Sequence, residues 1–269
     1  MPPELVLPAT IAAAVATACL VLSWIFHEYS WVDRTWSIVP PVYIGTFAAG
    51  AGWADPRLNL MTILTAAWGA RLTFNYARKG GYAPGGEDYR WSILKARMPG
   101  WAWHLFNVFF IAGYQHFLLF LLALPAWRAA QHPTPLGPLD AVAAIGFAAL
   151  LVGETWADQQ QWTFHQAKRA RAARGEPVGK GFCDTGMWSW SRHPNFFCEQ
   201  GQWWMVYLFA VAATGTWIDL TIVGPALLTL LFDGSARFTE SITAAKYPDY
   251  ATYQKRVSRM MPLPSRGSR

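Results

Sequence analysis

Charged residues are scarce in this sequence, and the residues that replace them point to a membrane environment. Only 14% of the 269 residues are Asp, Glu, Lys or Arg, whereas 53% are hydrophobic. Soluble domains carry roughly 25% charged residues. The apolar residues also fall in blocks along the chain. This composition argues against a soluble globular protein and predicts an integral membrane protein.

Patterns that mark several other protein classes are also missing. The three cysteines show no CxxC spacing, the six histidines are scattered, and no Gly-x-Gly-x-x-Gly fingerprint occurs. The sequence therefore offers no pattern for a disulfide scaffold, a zinc site or a Rossmann domain. The formal charge of +6 comes without a basic surface helix or a zinc-finger pattern. We therefore expect neither a metal nor a nucleic-acid partner.

Seven apolar blocks are long enough, or nearly so, to cross a bilayer, which takes about 20 residues per helix. The predicted fold is all-α with about seven transmembrane helices, in one domain over residues 1–264 that is followed by a disordered tail over 265–269. The lipid bilayer is accordingly the first expected partner. The blocks span residues 5–26, 36–53, 58–77, 102–124, 138–157, 196–214 and 217–232.

The basic residues lie on one side of this predicted topology. Nineteen of the 22 Lys and Arg residues fall in the segments 27–35, 78–100, 158–195 and 233–269, which alternate with the other loops. Cytoplasmic loops of membrane proteins carry such an excess. The expected orientation is N-terminus outside and C-terminus inside. No signal or retention motif is evident, which favours a multi-pass protein of a bacterial inner membrane.

A first candidate site surrounds the predicted start of a helix at Pro194, where the missing N–H of proline costs nothing. Arg192 and His193 precede it, and the free amides of a helix N-terminus attract anions. Polar residues then share one face of this helix and run into the membrane, which favours a functional role. A capped helix with a neutralised carboxylate is the alternative. The polar residues of this face are Asn195, Glu199 and Gln202.

A second polar stripe lies on the preceding block and leads into a basic segment. Arginine forks suit phosphate groups, so the basic segment fits a pyrophosphate or a 2′-phosphate. Positive-inside bias alone explains the basic residues but not the polar stripe. The stripe consists of Glu154, Asp158, Gln161 and His165, and the basic residues are Lys168, Arg169, Arg171 and Arg174.

A third cluster, which follows the last block, interleaves tyrosines with basic residues. Such a pattern can hold a flat ring and its phosphates, and an amphipathic interfacial helix has a similar composition. Its members are Arg237, Glu240, Lys246, Tyr247, Tyr250, Tyr253, Lys255 and Arg256.

The run Ser-Arg-His-Pro-Asn-Phe-Phe-Cys-Glu at 191–199, with the closing Tyr-Pro-Asp-Tyr at 247–250, resembles the steroid 5-alpha-reductase-like superfamily. Within it, the sequence is most similar to the bacterial branch of uncharacterised membrane proteins. The resemblance covers 150–264 and extends more weakly to 29–36 and 85–91. Isoprenylcysteine methyltransferases carry a similar Arg-His-Pro pattern, so the motif does not specify one reaction.

This resemblance implies seven helices and an NADPH held on the cytosolic side by the C-terminal half. Asn195 and Glu199 match the family's cofactor-binding Asn and Glu, and Asp158 and Gln161 match polar positions of its cofactor-facing helix. The basic segment matches a phosphate-binding loop. The predicted cofactor-binding residues are Asp158, Gln161, Lys168, Arg169, Arg171, Arg174, Arg192, His193, Asn195, Glu199, Arg237, Tyr250 and Arg256.

One departure from the family concerns the substrate. The steroid reductases of animals carry a Gln-Glu pair on the second helix, whereas the second block here, 36–53, has no carboxylate. The predicted catalytic residues, which would polarise a carbonyl or donate a proton, are therefore Tyr89 and Glu87, followed by Tyr29 and Tyr114. The segment 85–91 reads equally as a loop that caps the next helix, and Tyr114 as a source of interhelical hydrogen bonds.

The leading hypothesis is an NADPH-dependent membrane reductase of lipid metabolism, which transfers a hydride to a conjugated C=C of a lipophilic substrate. The alternative is an S-adenosylmethionine-dependent methyltransferase of the isoprenylcysteine type. NADPH carries three phosphates and S-adenosylmethionine carries none, so the basic segment favours the dinucleotide. A membrane scaffold without chemistry is the third class.

Overall fold

The computed structural model describes residues 1–177 and 179–265, and these residues form helices without a β-strand. Residues 266–269 of the predicted tail lie outside the described residues. The described α-helices are α1 (Pro3–Phe26), α2 (Trp31–Trp36), α3 (Val39–Gly50), α4 (Pro56–Arg78), α5 (Tyr89–Ala96), α6 (Gly100–Phe106), α7 (Gln115–Ala130), α8 (Pro138–Ala173), α9 (Pro194–Thr214), α10 (Val223–Lys246) and α11 (Tyr250–Arg256).

The all-helical prediction is confirmed. Each of the seven apolar blocks overlaps helical residues, although the block 217–232 begins before α10 and the block 102–124 covers parts of both α6 and α7. Three helical stretches of the described residues are long and apolar enough to cross a membrane: Pro3–Phe26, Gly100–Ala130 and Pro138–Ala173. The second joins α6 and α7 through a π-helical segment, Asn107–Tyr114. Such π-helical segments are rare and often lie at functional sites.

Local sequence signals explain where several helices begin. The side chain of Asp55 accepts hydrogen bonds from the backbone N–H groups of Arg57 and Leu58, and Pro56 is the first residue of α4. Asp88 caps α5 in the same way. An Asp cap followed by proline satisfies amides that the helix itself leaves unpaired. Pro194 begins α9 as its sequence position predicted.

The chain divides into two compact units. Unit 1 comprises Met1–Ile145 with Trp203–Leu227, and unit 2 comprises the described residues of Gly146–Gln202 with Leu228–Arg269. Helices α8, α9 and α10 each contribute one part to each unit.

In unit 1, helix α3 packs against α4 and α7. A buried ion pair fixes the start of α4, since the Arg57 guanidinium donates to both carboxylate oxygens of Asp140 over 2.7 and 2.9 Å. The same guanidinium donates to the backbone carbonyls of Thr134 and Pro135. Every donor direction of this arginine is therefore used to hold the segment before α8, which makes Arg57 a structural residue.

Candidate functional site

The two polar stripes that the sequence predicted on α8 and α9 face each other in unit 2. The Asn195 side-chain amide donates to Asp158 over 3.4 Å, and the Gln202 amide donates to Glu154 over 2.7 Å. From Asn195 to Gln202 the residue number rises along α9, whereas the number of the hydrogen-bond partner on α8 falls from 158 to 154. The two helices therefore run antiparallel. Glu154, Asp158 and Glu199 are all buried.

Glycines allow these two helices to approach closely enough for the stripes to meet. A Cβ at Gly153 would lie 3.0 Å from the Cys198 sulfur, and a Cβ at Gly201 would lie 2.9 Å from a methyl carbon of Leu150. Small residues at helix contacts let backbones come together and let polar side chains bond across the interface. The glycines at positions 153 and 201 are therefore the feature of the sequence that allows α8 and α9 to approach closely.

Some acceptors on these stripes remain open. Among the described residues, no hydrogen-bond donor reaches the buried side-chain oxygens of Asn195, Gln161 and Gln202. A buried carbonyl oxygen without a donor costs free energy, so native proteins usually satisfy it. These amide oxygens can therefore accept hydrogen bonds from hydroxyl or amide groups of a bound molecule.

Arg192, His193 and Glu240 form a buried cluster, which we call the unit 2 clamp. The Arg192 guanidinium donates to both oxygens of Glu240, over 2.7 and 3.1 Å, and the His193 Nε2 lies 3.1 Å from one of them. Burial raises the pKa of Glu240, but the hydrogen bonds from His193 and Arg192 outweigh it and lower the pKa to about 2. Glu240 is therefore a fully ionised structural anion.

The clamp fastens the C-terminal segment to the start of α9. The backbone N–H groups of Arg192 and His193 donate to the carbonyls of Ser258 and Arg259 over 2.9 and 3.1 Å. The Arg192 guanidinium also donates to the carbonyl of Gln254, and the Tyr253 hydroxyl donates to the carbonyl of Trp188. In this structure, the predicted cofactor ligands Arg192 and His193 are thus engaged in holding the chain together.

The other predicted cofactor-binding residues outside the stripes differ in their contacts. Arg174 pairs with Glu176, and Arg237 pairs with Asp233, both on the surface. Lys168 donates instead to the Gly181 carbonyl and to the Tyr247 hydroxyl, over 3.1 and 2.9 Å. Tyr250 is buried, with its ring edge-on to Phe182. The side chains of Arg169, Arg171 and Arg256 are exposed.

In unit 1, the two weaker motifs of the sequence are joined to each other. The backbone N–H of Gly85 donates to the Glu28 carboxylate over 3.2 Å, and the backbone N–H of Asp88 donates to the Ser30 hydroxyl over 2.9 Å. In return, the backbone N–H of Tyr29 donates to Glu87. These hydrogen bonds join residues 85–88 to residues 28–30, while the Asp88 side chain caps the next helix, α5, as one reading of the segment predicted.

Four carboxylates meet at this contact, and two of them have a cation. Arg34 pairs with Glu28, and Arg90 pairs with Asp88. Asp33 and Glu87, which we call the unit 1 acid pair, have no ion pair with a basic residue of the described chain. The Trp91 indole N–H donates to Asp33 over 2.9 Å.

The acid pair differs electrostatically from its two neighbours. Burial raises the pKa of Asp33, with a further rise from the charge of Asp88. Burial also raises the pKa of Glu87, against the hydrogen bond from the Tyr29 backbone. A raised pKa keeps a larger fraction of each carboxyl protonated near neutral pH, which is what a proton donor needs.

The three candidate tyrosines occupy different surroundings, all in unit 1. Tyr29 is buried against Trp103, with a ring-centroid distance of 4.7 Å, and its hydroxyl lies 3.5 Å from the Lys95 ammonium. Tyr89 is 53% exposed at the start of α5. The Tyr114 hydroxyl lies 3.5 Å from the Leu227 carbonyl, which fits an interhelical contact. The predicted cofactor-binding residues all belong to unit 2.

Four polar residues were not among the predicted cofactor-binding or catalytic residues: Asp33, Glu240, Lys246 and Tyr247. Asp33 lies between two aromatic residues of a short helix, and no spacing rule links it to residues 87–91. Glu240, Lys246 and Tyr247 belonged to the third cluster, but their partners Arg192 and Lys168 lie 48 and 79 residues away. Only a covarying pair of positions in an alignment could have shown these contacts. No three His, Cys, Asp or Glu residues of the described chain are placed to hold a metal ion.

Comparison with known proteins places the chain in a family. The family model described as "Protein of unknown function (DUF1295)" matches residues 19–257. An uncharacterised protein of Schizosaccharomyces pombe is 38% identical to this chain, over 90% of the chain and 78% of the relative. No solved structure matches the chain. The chain therefore belongs to the DUF1295 family, which is related to steroid 5-alpha-reductase-like proteins.

Proposed function

We propose that this member of the DUF1295 family is a membrane reductase, which binds NADPH in unit 2 and reduces a conjugated C=C of a lipophilic substrate. The observation that carries the proposal is the pair of facing polar stripes on α8 and α9, which ends at a basic segment. A polar wall of this kind inside a largely apolar chain is costly unless it serves a polar ligand.

The residues of unit 2 fit the groups of this cofactor. The open side-chain oxygens of Asn195 and Gln161 can accept hydrogen bonds from a carboxamide and a ribose hydroxyl. Lys168 and Arg169 have no ion pair with a carboxylate of the described residues, so their charge is available to phosphates. Neither feature requires a glycine-rich loop.

In the proposed reaction, bound NADPH supplies the hydride that adds to the β-carbon of the conjugated system. The chain must then provide one proton for the α-carbon. Glu87 is our candidate to hold that proton, because burial raises the pKa of its carboxyl and its hydrogen bond comes from the neutral backbone N–H of Tyr29. Tyr89, Tyr29 and Tyr114 stay predictions for polarising the carbonyl.

The proposal includes the finer topology that the sequence predicted. It has seven transmembrane helices, the N-terminus outside and the C-terminus inside, in a bacterial inner membrane. The excess of Lys and Arg in alternate loops supports this orientation. Cysteine accessibility scanning at Gln131, an exposed position of a predicted outer loop, and at the exposed Lys255 tests this topology, which predicts the two positions on opposite sides of the membrane.

Thermal unfolding of the purified protein tests the cofactor directly. We expect NADPH to raise the melting temperature, and to raise it further with the logarithm of its concentration above the dissociation constant, because it binds only the folded chain. NADH should stabilise less, and S-adenosylmethionine should not stabilise. Stabilisation by S-adenosylmethionine alone would replace the reductase with the methyltransferase, and no response to any of the three would favour a scaffold.

A further inference from the structure

Lys168, Lys246 and Tyr247 form a small cationic cluster in unit 2. The Lys168 ammonium lies 2.9 Å from the Tyr247 hydroxyl, and the Lys246 ammonium lies 5.5 Å from the centre of the Tyr247 ring. The exposed side chain of Lys246 leaves its ammonium open to solvent, and Tyr247 is half-buried.

The tyrosine is held firmly in this place. Its ring covers the face of Gly181, where a Cβ would lie 2.0 Å from a ring carbon, so that position accepts no side chain without displacing Tyr247. Lys168 ties the ring to the chain through the Gly181 carbonyl, over 3.1 Å. The cluster is therefore built by three separate parts of the sequence.

The positive charge of this cluster is uncompensated. Glu176 pairs with Arg174, and Asp184 pairs with Lys180, so both carboxylates of the neighbouring segment are occupied. Among the residues that the structure describes, neither Lys168 nor Lys246 forms an ion pair with a carboxylate. The hydrogen bond from Lys168 lowers the pKa of Tyr247, against burial. Both features favour an anion at the tip of this tyrosine.

The donor geometry selects a class of anion. Because Lys168 donates to the phenol oxygen, the phenol proton remains free to be donated onward. The cluster therefore offers one hydroxyl donor and two ammonium groups. A phosphate monoester carries a charge of about −1.5 to −2 at pH 7 and three terminal oxygens, which match this set. A phosphodiester has one charge and two free oxygens, and matches it less well.

We infer that Lys168, Lys246 and Tyr247 form a subsite for a phosphate monoester, which under the proposed function is the 2′-phosphate of NADPH. This identification rests on the proposed function, since the 2′-phosphate is the one group that distinguishes NADPH from NADH. The subsite then sets the preference between the two dinucleotides. A lipid such as phosphatidic acid, which also carries a phosphate monoester, is the other source of the same chemistry.

Equilibrium binding of NADP⁺ and NAD⁺ to wild-type protein and to Lys246→Met tests the subsite. We expect Lys246→Met to weaken NADP⁺ binding about tenfold or more, as for the loss of a charged hydrogen bond, and to leave NAD⁺ binding unchanged. The Lys246 side chain is exposed at the last residue of α10, so this variant should fold. Lys255→Met, an equal charge change on α11, is the matched control and should change neither affinity.

The outcomes separate this inference from the proposed function. If NADP⁺ binds and Lys246→Met changes neither affinity, or weakens both dinucleotides equally, the subsite is refuted and the reductase stands. If neither dinucleotide binds wild-type protein, the reductase fails. The subsite then survives only if phosphatidic acid in nanodiscs stabilises the wild type more than phosphatidylglycerol does and Lys246→Met removes the difference. No such difference refutes it.

Discussion

Units 1 and 2 each use a glutamate carboxylate to join distant segments of the chain, but the charge of the buried Glu240 is stabilised and that of the half-buried Glu87 is not. In unit 2, Glu240 accepts from Arg192 and His193, and its pKa falls to about 2. In unit 1, Glu87 accepts from the backbone N–H of Tyr29, and burial raises its pKa. The same residue type therefore serves as a permanent anion in one unit and as a carboxyl that can exchange a proton in the other.

The difference lies in what surrounds each carboxylate. A guanidinium that donates to both carboxylate oxygens stabilises the ionised form and so lowers the pKa. Breaking such a buried pair costs several kcal/mol. When a carboxylate accepts from a single neutral donor, burial has the larger effect on its pKa and raises it. We conclude that Glu240 belongs to the framework of the protein and that Glu87 and Asp33 belong to its candidate chemistry.

Removing the charge of the unit 2 clamp should have the largest effect on stability. Glu240→Gln leaves the Arg192 guanidinium buried without its anion, and we expect the free energy of unfolding to fall by about 3 kcal/mol. Thermal unfolding in detergent measures this loss. Asp233→Asn removes an exposed partner of Arg237 and should cost less than about 1 kcal/mol. Equal losses in the two variants would contradict the structural role of Glu240.

Acid should weaken the clamp of the wild type in a defined window. The pKa of Glu240 is lowered in the folded chain, so its contribution is complete above its ordinary value of 4.5 and is lost as the pH falls toward about 2. The stability difference between wild type and Glu240→Gln should therefore shrink over this range. Unfolding curves from pH 6 to pH 2.5 measure it, and a difference that stays constant would mean that the pKa of Glu240 is not depressed.

An open acceptor of unit 2 should matter for binding more than for folding. Asn195→Ala removes the side-chain oxygen that lacks a donor, along with a long hydrogen bond of 3.4 Å to Asp158. We expect NADPH affinity to fall about tenfold, with a stability change of at most about 1 kcal/mol. Titration calorimetry and thermal unfolding report the two effects. A large loss of stability with unchanged affinity would make Asn195 a packing residue.

Neutralising the unit 1 carboxyl should change stability least and pH dependence most. Glu87→Gln keeps an oxygen that can accept from the Tyr29 backbone, so we expect the free energy of unfolding to change by less than about 1 kcal/mol. In the wild type, the reduction rate should fall as rising pH deprotonates Glu87, whereas the variant should be slow at every pH. An unchanged rate profile would remove Glu87 from the chemistry.

The helices could be predicted from the sequence because their signals are local. Each apolar block overlaps a helix, and Pro194 marks the start of α9. The stripes on α8 and α9 could be predicted one by one, because residues three and four apart share a helix face. Their pairing could not, since no local rule relates Asn195 to Asp158.

Contacts between distant segments explain what the sequence left out. The position of Arg192 just before a helix start predicted that it binds an anionic ligand. Its guanidinium instead donates to Glu240 and to the carbonyl of Gln254. Which anion an arginine takes is decided by packing rather than by its neighbours in sequence. The π-helical segment Asn107–Tyr114 likewise has no compositional signal that separates it from an ordinary helix.

The most direct test of a cofactor site in unit 2 is amide hydrogen exchange with and without NADPH. We predict slower exchange in residues 158–173 of α8 and in residues 195–202 of α9, because a ligand between the stripes and the basic segment suppresses local opening. Exchange in unit 2 that NADPH leaves unchanged, while S-adenosylmethionine slows it, would contradict the account.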